Sequence, residues 1–388
     1  LKDQEFEVNK KALGILSASH MVNDMYGGFI YPIMPVIAAK LNISLGIVGL
    51  ILSISSFSSS ILQPFFGYSS DKLARRFFIF AGMLLSAIFI SLIGYSNNVY
   101  VLGLLVFAGS LGVGLFHPQA TALAAQFSGK EINSLMGIFV ASGTIGYALG
   151  PFISSILVSV YGLKSTIFAV IPGIAVFCIM YKLLPKIPVK VEPPDFANLL
   201  STLGHIKKNI IILTFISFIR ALAVMTFTVF MPFLWKEHNY SIILVGILIA
   251  LFSIFGSISS YIGGKLHNYT GEKFILMLSL LPAIPCLYGT VHLLDKSPVL
   301  SFILFVVSGF ILTFSTSVNI VIAQKAVPEN MGTISGIIGG FCWGIAGIAL
   351  TPIGFLSSKF GLINVLSILT FIPLFGTIAV YFMDLYQE

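Results

Sequence analysis

The chain has 388 residues, of which 57% are hydrophobic and 9% charged, with a mean hydropathy of +1.01 and a formal net charge of +7. Such a composition lies far outside that of water-soluble domains and of charge-rich disordered chains. The positive balance does not mark a nucleic-acid partner, because the basic residues sit in short loops between apolar runs of roughly 20 residues, the length that crosses a bilayer as helix.

Leu1 to Lys11 is polar, and no cleavable signal is expected before the first span. The apolar runs then predict spans near 12–39, 44–69, 77–95, 98–127, 131–160 and 163–184. After a polar connector come spans near 209–235, 241–265, 273–293, 298–325, 329–358 and 362–383. Alternating strand segments of a membrane barrel are absent. The expected fold class is therefore all-α and polytopic, with twelve transmembrane helices. Pro32, Pro35, Pro118, Pro151, Pro232 and Pro352 fall inside spans, where they predict kinks. Cys178, Cys286 and Cys342 lie singly in apolar segments, so neither a disulfide framework nor a metal site is indicated, and no cofactor is expected.

Lysine and arginine set the orientation. With a cytoplasmic N-terminus, 15 of them fall on the cytoplasmic side and 5 on the other, with Arg220 inside a span. Both termini are thus expected in the cytoplasm. The connector, PKIPVKVEPPDFANLLSTLGHIKKN, is the longest loop; its Pro-rich start excludes helix, while Asp195 to Lys208 is able to form a short surface helix. It divides the chain into an N-terminal six-helix bundle (1–184), a connector (185–208) and a C-terminal six-helix bundle (209–388).

The halves repeat at an offset of about 200 residues. Met34-Pro35 meets Met231-Pro232, Gly67 meets Gly264, and Ala125-Gln126 with Glu131 meets Ala323-Gln324 with Glu329. Gly143, Gly146 and Pro151 meet Gly344, Gly347 and Pro352 at identical internal spacing. Four landmarks in register argue for two parallel, pseudo-symmetric repeats, an arrangement that puts a substrate site near the bilayer midplane.

With these features the chain resembles the major facilitator superfamily along its whole length. The superfamily's loop signature appears as GYSSDKLARR, Gly67 to Arg76, with Ala74 where Gly is usual; the second-half copy, GKLHNYTGEK, has Asn268 in place of the acid. The resemblance implies that Gly67, Asp71, Lys72, Arg75 and Arg76 act in conformational gating, although basic loop anchors obeying charge bias alone give the same residues. GIFVASGTIGYALGPFISS, Gly137 to Ser155, is similar to the span 5 pattern of the superfamily's antiporters, with Ser154 and Ser155 replacing its last glycines. That likeness assigns Gly146, Gly150 and Pro151 to conformational gating, the glycines through close helix approach and Pro151 by bending the helix, although ordinary small-residue packing gives the same residues. SHMVND, LQPFFGYSSDK and LFHP resemble spans 1, 2 and 4 of the fosmidomycin-resistance exporter group, with Gln119 standing where an acid is expected.

Span 1 carries His20, Asn23 and Asp24 on one helix face, since residues three and four apart are neighbours. Asp24, His117 and Arg220 lie about 18, 15 and 16 Å from the cytoplasmic end of their spans, counting roughly 1.5 Å per residue. A charge at the midplane costs at least about 2.5–3.5 kcal/mol, so it rarely persists without a partner or a task. Asp24, His20 and His117 are therefore candidates for proton coupling, with an Asp24–Arg220 pair as a further expectation and a static bridge as its alternative. Arg220, whose guanidinium suits phosphonate, phosphate or carboxylate, is a candidate substrate residue. Asn23, Tyr26, Tyr31, Gln119, Asn319 and Trp343 are candidate cavity walls, and TFSTSVN (Thr313 to Asn319) is either a wet face or small-residue packing.

The motifs of serine, zinc and nucleotide enzymes are missing, so no enzyme is expected. The expected function is a proton-coupled antiporter, working as a monomer in the cell membrane (the inner membrane if bacterial). It would export small antimicrobial compounds, with anionic, phosphonate-like ones as the candidate class. The alternative is a proton symporter importing a small organic anion or sugar-like metabolite. Its partners would be substrate, protons and the lipid bilayer.

Overall fold

A computed structural model describes residues 8–72, 75–185, 208–326 and 331–383. The side chains of Asp71, Lys72, Arg75 and Asn268, along with Ala74, most of the connector and Glu329, lie outside the described residues. Everything regular that is described is helical. Among the described residues, eleven helices are long and apolar enough to cross a membrane: Leu45–Gly67, Arg76–Tyr95, Val99–Ser128, Leu135–Tyr161, Leu163–Leu183, Lys208–Glu237, Ile242–His267, Glu272–His292, Pro298–Ala326, Ile334–Phe360 and Leu362–Tyr381. They are spans 2 to 12 of the expected twelve.

Span 1 is the exception, for a physical reason. It forms two helical pieces, Lys10–Gly28 and Met34–Leu41, joined by turns at 29–33, and the first piece holds the His, Asn and Asp that lower its apolarity. Pro35 sits in the first turn of the second piece, where its missing N–H costs nothing. Pro118 and Pro151, by contrast, lie inside helices of 30 residues that run on past them, Val99–Ser128 and Ile132–Tyr161.

Local chemistry marks the ends. Asn9 Oδ1 accepts from the Ala12 N–H at 2.9 Å and Asn98 Oδ1 from the Val101 N–H at 2.9 Å, each satisfying a donor that the first helical turn leaves without a partner. Gly162 and Gly361, at φ +78° and +87°, turn the chain after spans 5 and 11 in a conformation that disfavours any side chain.

Two compact units result. The first draws on Leu1–Ile43, Ser58–Pro193 and Ser241–Ala250, the second on Ser44–Phe57, Pro194–Tyr240 and Leu251–Glu388. Within the second unit, Ser44–Phe57 packs on span 11: Ser53 Oγ donates to the Gly347 carbonyl at 2.8 Å, and Thr351 Oγ1 donates to Ser53 Oγ at 2.7 Å. The chain passes between units within span 2 at a π-helical turn, Phe57–Ile61, and a matching π-helical turn, Ile337–Phe341, interrupts span 11. Such turns displace a helix by one residue and recur at functional positions.

In the first unit the closest packing is between span 1 and span 5. A Cβ placed on Gly146 would strike the carbonyl oxygen of Met21 and lie 2.8 Å from its Cα; one on Gly150 would strike the Met25 carbonyl oxygen. The two backbones touch because neither position carries a side chain. In the second unit span 7 is the most enclosed of the eleven. Its Ile210, Leu213 and Ile216 join Ile275, Leu276, Leu280, Val318 and Ile322 in one apolar core.

Candidate functional site

The polar face of span 1 points into the first unit. Asp24 Oδ2 lies 3.2 Å from His20 Nε2, one helical turn earlier, and Asp24 Oδ1 lies 2.9 Å from His117 Nε2 on span 4. Both imidazoles are held from behind. His20 Nδ1 sits 2.8 Å from the Phe139 carbonyl oxygen of span 5, and His117 Nδ1 sits 2.8 Å from the Val113 carbonyl oxygen of its own helix. A carbonyl oxygen only accepts, so each Nδ1 carries the hydrogen and each Nε2 is left facing the carboxylate. The Phe139 ring stacks on His20 with centroids 4.2 Å apart, and the two imidazoles meet edge to face at 5.2 Å.

This arrangement can hold protons. A proton on either Nε2, or on Asp24, makes the contact attractive; with none, lone pairs face lone pairs across about 3 Å. Gly143 closes the third side. A Cβ there would lie against His20 Cε1 and 2.6 Å from both Asp24 Oδ2 and His20 Nε2. The backbone of span 5 thus reaches the site twice, through the Phe139 carbonyl and the bare Gly143 Cα.

Asn23 is buried one residue away and donates to Ser86 Oγ at 2.9 Å, while that hydroxyl donates to the Met83 carbonyl. It ties span 1 to span 3. Tyr26 is buried too, its hydroxyl donating to the Ala169 carbonyl at 2.7 Å. Gln119, nearly inaccessible, donates to the Phe66 carbonyl at 3.1 Å and joins span 4 to span 2. Tyr31 is half-buried beside Tyr147, with ring centroids 6.2 Å apart. Of these four, Tyr31 is the one that keeps partial exposure.

The second unit contains a separate polar nest. Arg220 on span 7 is buried, and its terminal nitrogens donate to Ser315 Oγ at 2.9 Å and Ser217 Oγ at 3.2 Å. Ser279 and Ser315 share a hydrogen at 2.7 Å, and the Asn319 amide donates to the Leu213 carbonyl at 3.1 Å and to Ser217 Oγ. The partners of the guanidinium are neutral hydroxyls, so a full positive charge stands in this nest without a countercharge from them. The polar side chains of TFSTSVN divide: Ser315 and Asn319 serve the Arg220 nest, whereas Thr313 and Ser317 donate to the Gly256 and Ser260 carbonyls and pack spans 8 and 10 together. Trp343 is half-buried on span 11, in the same unit but apart from these hydrogen bonds.

Among the candidate gating residues, Arg76 donates to the Leu184 carbonyl at 2.9 Å and the Tyr181 carbonyl at 3.3 Å, and lies over Phe80. It therefore caps the C-terminal end of span 6, where a cation is favoured. Gly67 faces Pro118, with ordinary van der Waals room for a Cβ. Pro151 lies against Gly28, within the span 1–span 5 seam that Gly146 and Gly150 make. Sequence reading missed Ser86, Ser217 and Ser279, because a serine in an apolar span carries no sign of what it faces. It missed the carbonyls of Val113 and Phe139 because backbone groups leave no sign at all.

The seam makes a stability test. Gly146→Ala drives a methyl into the backbone of span 1 and is expected to lower stability by about 1–3 kcal/mol, as overpacking does. Gly137→Ala, in the same helix with open space around it, should be neutral or slightly stabilising. Thermal unfolding of the two purified variants checks this, and equal midpoints would refute the seam.

A polytopic helical chain with ionisable side chains held inside each of two units has the build of a membrane transporter. The chain belongs to the Major Facilitator Superfamily, whose family model matches residues 16–351. It is 24% identical over 387 residues to the fosmidomycin resistance protein of Escherichia coli, covering 96% of this chain and 92% of that one. It is also 26% identical to the uncharacterized MFS-type transporter YfnC of Bacillus subtilis, covering 94% and 91%. Among solved structures, a bacterial homolog of the human lysosomal transporter Spinster, in an inward-facing and occupied conformation, matches with a TM-score of 0.82 at 14% identity over 98% of this chain and 97% of that one. The protein is a multi-pass membrane transporter of small molecules, not an enzyme.

Proposed function

We propose that the protein is a proton-coupled antiporter that exports small antimicrobial compounds, anionic phosphonate-like molecules among them, by alternating access. The observation that carries this reading is the Asp24 carboxylate held between His20 Nε2 and His117 Nε2. A carboxylate flanked by two pre-oriented imidazoles takes up and releases a proton with little rearrangement. It also sits on the span that packs backbone to backbone against span 5, whose sequence resembles the antiporter pattern.

Arg220 supplies the substrate side of the proposal. Its charge, solvated by neutral hydroxyls, favours a bound anion, and its planar fork suits the paired oxygens of a phosphonate. The full-length likeness to a fosmidomycin resistance protein supports the direction of transport and the class of cargo. The lysine and arginine bias supports cytoplasmic termini in a cell membrane.

Reconstituted vesicles test the proposal. With protein oriented as in the cell, an acid exterior should drive a phosphonate such as fosmidomycin out of the lumen, and should alkalise the exterior as it does so. Transport in the direction of the protons would establish the symport alternative instead.

A further inference from the structure

We infer that His20, Asp24 and His117 form a binding site for a borderline divalent transition metal, of which zinc is the type. The ligand set is two imidazole nitrogens and one carboxylate, with a position open to water or cargo. The inference goes beyond proton-coupled export and stands on donor-atom geometry alone.

Among the described residues, this is the group of three whose donor atoms converge, all within 4.8 Å of one another. Tetrahedral zinc, with bonds of about 2.0–2.1 Å to nitrogen and oxygen, sets its ligand atoms roughly 3.3 Å apart. The imidazoles approach different oxygens of the carboxylate, His20 Nε2 at 3.2 Å from Oδ2 and His117 Nε2 at 2.9 Å from Oδ1, and an ion would draw donors that lie within 4.8 Å of one another onto a common centre.

The tautomers are already those a metal requires. Metal-bound histidine characteristically donates its second ring nitrogen to a carbonyl or carboxylate, which fixes the other lone pair on the ion. Here the Phe139 and Val113 carbonyls play that part for both rings. The carboxylate is also placed for a shared ion, with the buried Asp24 Oδ1 2.9 Å from His117 Nε2. Gly143 leaves the space next to the donors clear, where a methyl would crowd two of them. His117 remains one-quarter exposed, which gives an ion a way in. Imidazole with carboxylate suits zinc, cobalt, nickel and iron(II), and disfavours calcium and magnesium.

His238 is the internal control. It has the same posture, with Nδ1 on the Leu234 carbonyl at 2.8 Å and Nε2 on Asp295 at 2.9 Å, but it lacks a second imidazole.

The test is a titration of tag-free, full-length protein in lipid nanodiscs with Co²⁺, followed by its visible absorption and by displacement with Zn²⁺. One equivalent should bind with the bands of a four- or five-coordinate ion. X-ray absorption should report two imidazoles. Affinity should fall roughly 30-fold or more in Asp24→Asn and in His117→Asn, as loss of a ligand demands, and stay unchanged in His238→Asn. Undiminished cobalt binding by folded Asp24→Asn and His117→Asn proteins would overturn the assignment, as would no saturable binding by wild-type protein with its normal thermal transition. The vesicle assay reads a different property: cobalt bound without proton-driven export keeps the metal site and removes the antiport reading, and the converse result does the reverse.

Discussion

Asp24→Asn should abolish proton-driven accumulation while leaving substrate exchange intact. One pH unit corresponds to about 1.4 kcal/mol per proton, so a coupled antiporter sustains roughly a tenfold substrate gradient per proton exchanged. The asparagine variant should sustain none. Its amide still occupies the space between His20 and His117, and its N–H₂ can donate to an imidazole that faces it, so the fold has reason to survive. Counterflow, which needs no net proton movement, should persist near the wild-type rate. The measurement is substrate gradient against imposed pH gradient in vesicles, and an unaltered gradient would remove Asp24 from the coupling scheme. His117→Asn should give an intermediate loss, because His20 continues to face the other carboxylate oxygen.

Arg220→Lys should weaken an anionic substrate by about 10- to 100-fold, and Arg220→Met by more, with little effect on neutral cargo. Charge-assisted hydrogen bonds contribute about 1.5–3 kcal/mol each, and lysine keeps the charge but loses the two-pronged geometry. The nest is built for the fork: one terminal nitrogen reaches Ser315 and the other Ser217. Paired transport assays with a phosphonate and a neutral analogue separate the cases, and thermal unfolding shows whether the variant is intact. Equal loss for both substrates would make Arg220 a scaffold residue and not an anion receptor.

Several parts of this architecture were legible from sequence because bilayers impose simple arithmetic. Run length fixed the spans, and charge cost singled out Asp24, His20, His117 and Arg220 from hundreds of apolar neighbours. The helical spacing of His20 and Asp24 foretold their contact, and counting depth along span 4 brought His117 to the same level. What stayed hidden was the second layer. Gln119 and Tyr26 read as cavity walls, and the structure shows each also donating to a backbone carbonyl, that of Phe66 and that of Ala169. A polar side chain in an apolar span has two ways to satisfy itself, with a ligand or with a neighbouring backbone, and residue type does not choose between them. The break in span 1 was equally hard to place, since Pro32 and Pro35 announce an interruption without saying which carbonyls are released.

The bare seam between spans 1 and 5 has a mechanical consequence. Side chains at a helical interface yield by changing rotamer, and so absorb small displacements. A carbonyl oxygen resting on an α-carbon has no such compliance. Under the proposed proton coupling, a push at Asp24 would reach span 5 through the Met21 and Met25 carbonyls on either side of it, and span 5 is a lever of 30 residues.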